Sequence, residues 1–409
     1  MAITPSSSPP AAAAAAGPYR FVIAALLLAV GFANGLNFMA ASPLLPVFMR
    51  DLGIDAAPAG LAFSAVPLFS MAFTVPASLL SARIGLRATF LIGVVCMAGG
   101  MLVPLLPHYP GLLVARSLLG VGGAVLPLSS AIVVQWFRGN ALAMVNSISF
   151  VALSLGFTCG LWATVPLQQA VGWHTALGIY GAVCGVAAVL WLLLGRDGPY
   201  GGEVAAAGVQ SAWAIFRQRR TWVLAVGFAG PISCYDTMSA WLPTYYNRVA
   251  GFELADAANL AGILGVAGIP GAVLGGWLTS RLGLRRPFVL GPGLLLPPLV
   301  VAAFTLRDPL PIALALGGVG LLAWGFNPAY LTIPMELGYS AVAVGTVLSA
   351  VFTLTGLLVF VLPLAVGALA DATGSFVPGF AMATGLSCLL FVAGLLLPET
   401  GPGRPPAAR

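Results

Sequence analysis

Two ionisable side chains lie deep inside apolar segments of this sequence, Arg116 within Val114–Gly122 and Asp236 within Ser233–Thr237. A charge at the centre of a bilayer costs ~2.5–3.5 kcal/mol on insertion scales, so each needs a use. A guanidinium offers a fixed fork of donors to a carboxylate or oxyanion, which makes Arg116 a candidate substrate ligand. The same fork could instead hold backbone carbonyls and Asn side chains of a neighbouring helix. Asp236 could exchange a proton, pair with Arg116, or accept hydrogen bonds at a helix bend. A third charge, Glu336, stands at the end of an apolar segment. It reads as a gate or interface residue, pairing with Arg281, Arg285 or Arg286 when that end is closed.

Uncharged polar residues extend the candidate binding set. Asn34 and Asn37 are three apart and share a helical face. Asn146, Tyr235, Asn327 and Tyr330 also fall inside apolar segments. Pro328 removes one helix hydrogen bond and crowds the preceding turn, so a local break is expected around Trp324–Pro328. Each amide could equally serve only as an interhelical hydrogen bond, worth under ~2 kcal/mol.

The composition narrows the chemistry. All 17 basic residues are arginine. Without lysine there is neither a Walker A phosphate loop nor a Schiff-base site. The five cysteines form no CxxC pair and lie in apolar segments, where they read as small packing residues. Two distant histidines make a metal site improbable, and no cofactor is implied. The net charge of +6 is carried by arginines in short loops, which argues against nucleic acid as a partner. A membrane enzyme would need a histidine cluster or paired carboxylates, so an enzyme is not expected.

These side chains must be positioned by membrane-spanning helices. With 60% hydrophobic and 7% charged residues, most of the 409-residue chain must face lipid or its own core. The apolar stretches are long and continuous, which favours helices over a β-barrel. Twelve spans are expected, six on each side of an interruption at 196–220. The organisation read from this is an N-terminal tail at 1–18, a six-helix bundle at 19–195, a linker at 196–220, a second bundle at 221–398 and a tail at 399–409. An even number of spans puts both termini on one side. That assignment gathers thirteen arginines at the termini side and three at the other, so the termini are expected to be cytoplasmic.

The chain also repeats itself. Residues 78–93 and 276–291 share seven of sixteen positions at an offset of 198, including Arg83/Arg281, Gly85/Gly283 and Arg87/Arg285. The same offset relates Gly120 and Gly122 to Gly318 and Gly320, and Arg50 and Gly53 to Arg248 and Gly251. It joins spans of the same direction, so the halves are parallel repeats about an axis along the membrane normal.

These residues resemble the major facilitator superfamily over about 20–398. The family's turn G-x-L-x-D-R-x-G-R-R is matched by Leu80, Arg83, Gly85 and Arg87, with Ser78 and Ala82 in place of the Gly and Asp. In the second copy Gly276, Leu278, Arg281, Gly283, Arg285 and Arg286 match, with Ser280 in place of the Asp. Arg116-Ser-Leu-Leu-Gly120-Val-Gly122 is similar to the family's R-x-x-x-G-x-G element. The resemblance implies an all-α polytopic membrane protein with twelve transmembrane helices in two pseudo-symmetric bundles, working as a monomer by alternating access. It implies a gate at Arg83, Gly85, Arg87, Arg281, Gly283, Arg285, Arg286 and Glu336. The expected function is secondary transport of a small organic or inorganic anion, coupled to protons through Asp236, in a bacterial inner membrane. The alternative is proton-driven export of lipophilic or cationic compounds. Gly156-Phe157-Thr158-Cys159-Gly160 lacks the proline of the family's usual exporter element, which argues against that alternative. Expected partners are the solute, protons and membrane lipid.

Overall fold

The computed structural model describes residues 17–137, 139–199, 217–337 and 341–401. Asn146, a candidate ligand, has its side chain outside the described set, as have Arg138 and most of the 196–220 linker.

The described residues form sixteen α-helices and no strand. In chain order the first half holds α1 Tyr19–Met39, α2 Ala41–Asp51, α3 Ala56–Ile84, α4 Leu86–Met97, α5 Tyr109–Gly123, α6 Leu126–Trp136, α7 Gly139–Val171 and α8 Trp173–Leu194. The second holds α9 Arg219–Arg248, α10 Leu254–Leu282, α11 Pro287–Thr305, α12 Pro309–Gly325, α13 Asn327–Glu336, α14 Ala341–Thr373, α15 Val377–Ser387 and α16 Leu389–Leu396. They follow the expected spans, four of which are broken into two helices. Among the described residues, ten stretches are long and apolar enough to cross a membrane. Leu86–Leu102 is apolar but shorter, and α9 is long but carries Arg219, Arg220, Asp236 and Arg248. The chain is therefore an integral, multi-pass membrane protein.

The break at Phe326, just before Asn327–Pro328, separates α12 from α13 as the proline requires. Breaks at Ala40, at Ala124–Val125 and at Cys388 were not expected. The repeat is visible in the backbone. Gly53 and its mate Gly251 have φ of 63° and 80°, and Gly85 and its mate Gly283 have 88° and 64°. These turns need positive φ, which glycine adopts without a Cβ penalty.

The two halves touch along α3 with α14 and α7 with α10. Among the described residues, every side-chain hydrogen bond between them lies at the end remote from the termini. Ser42 Oγ donates to the carbonyls of Ser239, at 2.5 Å, and Ala240, at 3.0 Å. Trp162 Nε1 reaches Asn259 O at 3.1 Å, and Arg248 reaches Pro46 O at 3.3 Å. Asp371, at the end of α14, accepts the N–H groups of Ala56 and Ala57 at 2.8 and 2.7 Å. Asp371 thereby caps the N-terminus of α3 across the interface, where the local cap residue Asp55 makes no such bond. Towards the termini no side-chain hydrogen bond joins the two halves among the described residues. Leu79, Val273 and Phe352 are exposed there, on helices whose remote ends are buried against the other half.

Candidate functional site

Arg116 is 2% exposed. Its Nε donates to Ala62 O at 3.0 Å, and its two Nη atoms to Asn37 O and Phe38 O at 2.8 Å each. The last two carbonyls belong to the final turn of α1, which stops at Met39. Helix ends leave carbonyls without an intrahelical donor, and a cation there is favourable. Arg116 thus caps a helix that ends inside the membrane and ties it to α3. In this conformation its fork is committed to the protein, which is the structural one of the two roles weighed for it.

Asn37 does not join a binding cavity either. Its amide points into the first bundle, towards Met97 O at 3.4 Å and Cys184 Sγ at 3.8 Å. Tyr330 is also turned inward; its hydroxyl donates to Leu224 O at 3.0 Å and holds α13 against α9. For both residues a nearby helix backbone supplies the partner a solute would otherwise provide.

Asn34, Asp236 and Asn327 behave differently. Neither amide makes a hydrogen bond with a described residue, and both Oδ1 atoms are buried without a donor. Asn34 Oδ1 lies beside Gly123 and Ser70, so α1, α3 and α5 converge there. Asp236 is partly exposed on α9 and has no hydrogen-bond or ion-pair partner among the described residues. It is not paired with Arg116. Its neighbour Tyr235 meets Trp324 edge-on, with ring centroids 5.9 Å apart at 87°.

Trp324 and Asn327 line a cavity of about 460 Å³ between α7, α10 and the break between α12 and α13. Ser154 of α7 and Gly268, Gly276 and Trp277 of α10 complete its walls. Its volume is in the ordinary range for small-molecule sites, about 300–1,000 Å³. Pro328 also takes away the helical donor of the Trp324 carbonyl, adding an acceptor at the break. Ser70, Ser154, Trp277 and Trp324 were not among the expected site residues. The aromatic and small residues of α10 carry no polar signal that sequence reading would have singled out.

At the termini end a charge cluster holds the second half together. Arg285 Nη2 and Nε bond Glu336 Oε1 at 2.6 and 2.9 Å, and Thr400 Oγ1 donates to Glu336 Oε2 at 2.7 Å. Glu399 accepts the backbone N–H groups of Arg285 and Arg286 at 2.8 and 3.0 Å. Burial works against the Glu399 carboxylate, but the N–H groups of Gly401, Arg285, Arg286 and Thr400 together hold it below its ordinary range. Of the three expected partners, Arg281, Arg285 and Arg286, Glu336 pairs with Arg285. In the first half Arg87 donates to Leu192 O at 3.2 Å, while Arg83 is exposed.

Comparison with known proteins agrees with this architecture. The chain is 24% identical over 420 residues to the probable sulfoacetate transporter SauU of Cupriavidus necator, covering 91% of this chain and 93% of that one. It is 26% identical over 411 residues to the hexuronate transporter of Escherichia coli, covering 89% and 90%. Its fold matches a bacterial homologue of the human lysosomal transporter Spinster, solved in an inward-facing, unoccupied conformation, with a TM-score of 0.77 at 17% identity over 93% and 96% of the two chains. The family model of the Major Facilitator Superfamily matches residues 27–343. The chain belongs to the Major Facilitator Superfamily, and it is a membrane transporter, not an enzyme.

Proposed function

We propose that the protein is a secondary transporter that carries a small organic anion together with a proton. The observation that carries this reading is the pair of unpartnered amides, Asn34 in the first half and Asn327 in the second. Each has an acceptor buried without a donor and an amide N–H that bonds no described residue, at a break or convergence of helices. A buried acceptor without a partner costs free energy, which a solute hydroxyl or protonated carboxyl would recover, while the amide N–H groups can donate to a solute oxygen. The named substrates of two relatives, sulfoacetate and hexuronate, are anions of this kind.

Asp236 supplies the coupling. Two negative charges repel strongly in a low-dielectric core, so an anion enters most favourably when Asp236 holds a proton. The exposed arginines at the open end, Arg83 and Arg281, draw anions towards the cavity. With the termini cytoplasmic in a bacterial inner membrane, the conformation described is open to the cytoplasm. Alternating access would then require the Asp371 and Ser42 contacts to break and the termini ends to close.

A second reading, export of lipophilic cations, has one observation in its favour. Asp236 lacks a cationic partner and adjoins Tyr235 and Trp324, whose rings could hold a cation. A thermal-unfolding screen of the purified protein separates the two, since a ligand of the folded state raises the melting temperature with occupancy. Stabilisation by sulfoacetate, hexuronates or other small carboxylates supports the anion carrier. Stabilisation by tetraphenylphosphonium alone, lost in Asp236→Asn, replaces it with the exporter.

A further inference from the structure

The cavity between α7, α10 and the α12–α13 break has more aromatic and apolar wall than a small inorganic anion needs. Trp277 and Trp324 both line it, with Asn327 as the polar group and Gly268 and Gly276 leaving room between them. One turn further along α10, the Arg281 guanidinium lies 5.1 Å from the centroid of the Trp277 ring. Among the described residues Arg281 pairs with no acid; the nearby carboxylates are taken, Glu336 by Arg285 and Glu399 by backbone N–H groups. An aromatic wall and an amide therefore line one space, and an uncommitted guanidinium stands against one of its rings, Trp277.

We infer that this cavity takes an aromatic carboxylic acid, with its ring against Trp277 and Trp324 and its carboxylate drawn to Arg281. The inference rests on the anion reading above and narrows it. Offset-stacked or edge-on ring contacts select an aromatic body over an aliphatic one of similar size. A guanidinium offers a carboxylate two parallel donors, and the Trp277 ring fixes the side from which they are offered. The free Asn327 amide and Trp324 carbonyl suit a ring hydroxyl at the far end. Arg281 then acts in substrate selection, and not only in the turn where the repeat places it.

The test is an equilibrium titration by calorimetry of the full-length purified protein with benzoate, 4-hydroxybenzoate, cyclohexanecarboxylate, benzamide and nitrate. Benzoate should bind about threefold to tenfold tighter than cyclohexanecarboxylate. Trp277→Leu should erase that ratio, and Arg281→Gln should weaken benzoate about tenfold while leaving the neutral benzamide unchanged. Trp277 is 53% exposed, so its replacement should be tolerated; should it fail to fold, the ligand series and Arg281→Gln decide. Equal binding of benzoate and cyclohexanecarboxylate, or binding of nitrate alone, would overturn the aromatic site and leave the anion carrier standing. Binding of none of the four anionic and acidic probes, with lipophilic cations binding instead, would overturn both.

Discussion

Arg116 reaches the carbonyls of Asn37 and Phe38 where α1 ends, and the bond to Ala62 makes it a junction of two helices. Hydrogen bonds to a charged group contribute about 1.5–3 kcal/mol each, and removing the cation leaves acceptors buried without donors. Arg116→Ala should therefore lower the melting temperature by several degrees before it changes ligand affinity, as parallel unfolding and binding curves would show. A variant of normal stability that had lost its ligand would return Arg116 to the binding site. That an intramembrane arginine needs a fixed partner was legible in the sequence; which partner was not. Depth along a helix can be counted from residues, but whether a side chain turns to the cavity or to the bundle depends on helix rotation. Asn34 and Asn37 show this, since they share a face by spacing, yet Asn37 is used inside its bundle and Asn34 is left unpartnered.

At the scale of helices, the clearest device is the cap that Asp371 places on α3 from the opposite half. Losing an acidic cap costs about 0.5–2 kcal/mol, which is a shift of about twofold to thirtyfold between conformations. Asp371→Ala should raise the labelling rate of a cysteine placed beneath the α3–α14 contact by a factor in that range. An unchanged rate would mean that the apolar contacts alone keep that end closed. The charge cluster at the other end makes a pH prediction. The folded state holds Glu399 below its ordinary value of 4.5, so its stabilisation is complete above that value and fades as the pH falls below it. Thermal unfolding followed between pH 6 and about pH 3.5 should show this loss. Glu399→Gln should be less stable at neutral pH and should lose the dependence. The membrane-spanning helices and the Pro328 break could be read from hydropathy and proline chemistry. The breaks at Ala40 and Ala124 were as legible in principle, since Pro43 and Pro127 remove the helical donors of the Met39 and Gly123 carbonyls; only the Arg116 cap on the first of them arrives from a distant segment.

For the whole molecule, the duplicated sequence appears as two bundles that, among the described residues, are joined by side-chain hydrogen bonds at one end only. The mates share their turns but not their polar groups. Asp236 corresponds to Phe38 and Asn327 to Ser129 at the offset of 198, so each half brings different chemistry to the centre. Sequence repetition thus reveals the architecture, while the site arises from where the two copies differ. The central claim, a proton-coupled anion carrier with Asp236 as the proton site, is tested most directly in proteoliposomes. An inward-directed proton gradient should drive accumulation of labelled sulfoacetate or another bound organic anion, and a protonophore should abolish it. Asp236→Asn should lose the gradient-driven uptake and keep exchange of anion for anion. Uptake by Asp236→Asn that still follows the gradient, or gradient-driven movement of lipophilic cations without any anion, would contradict it.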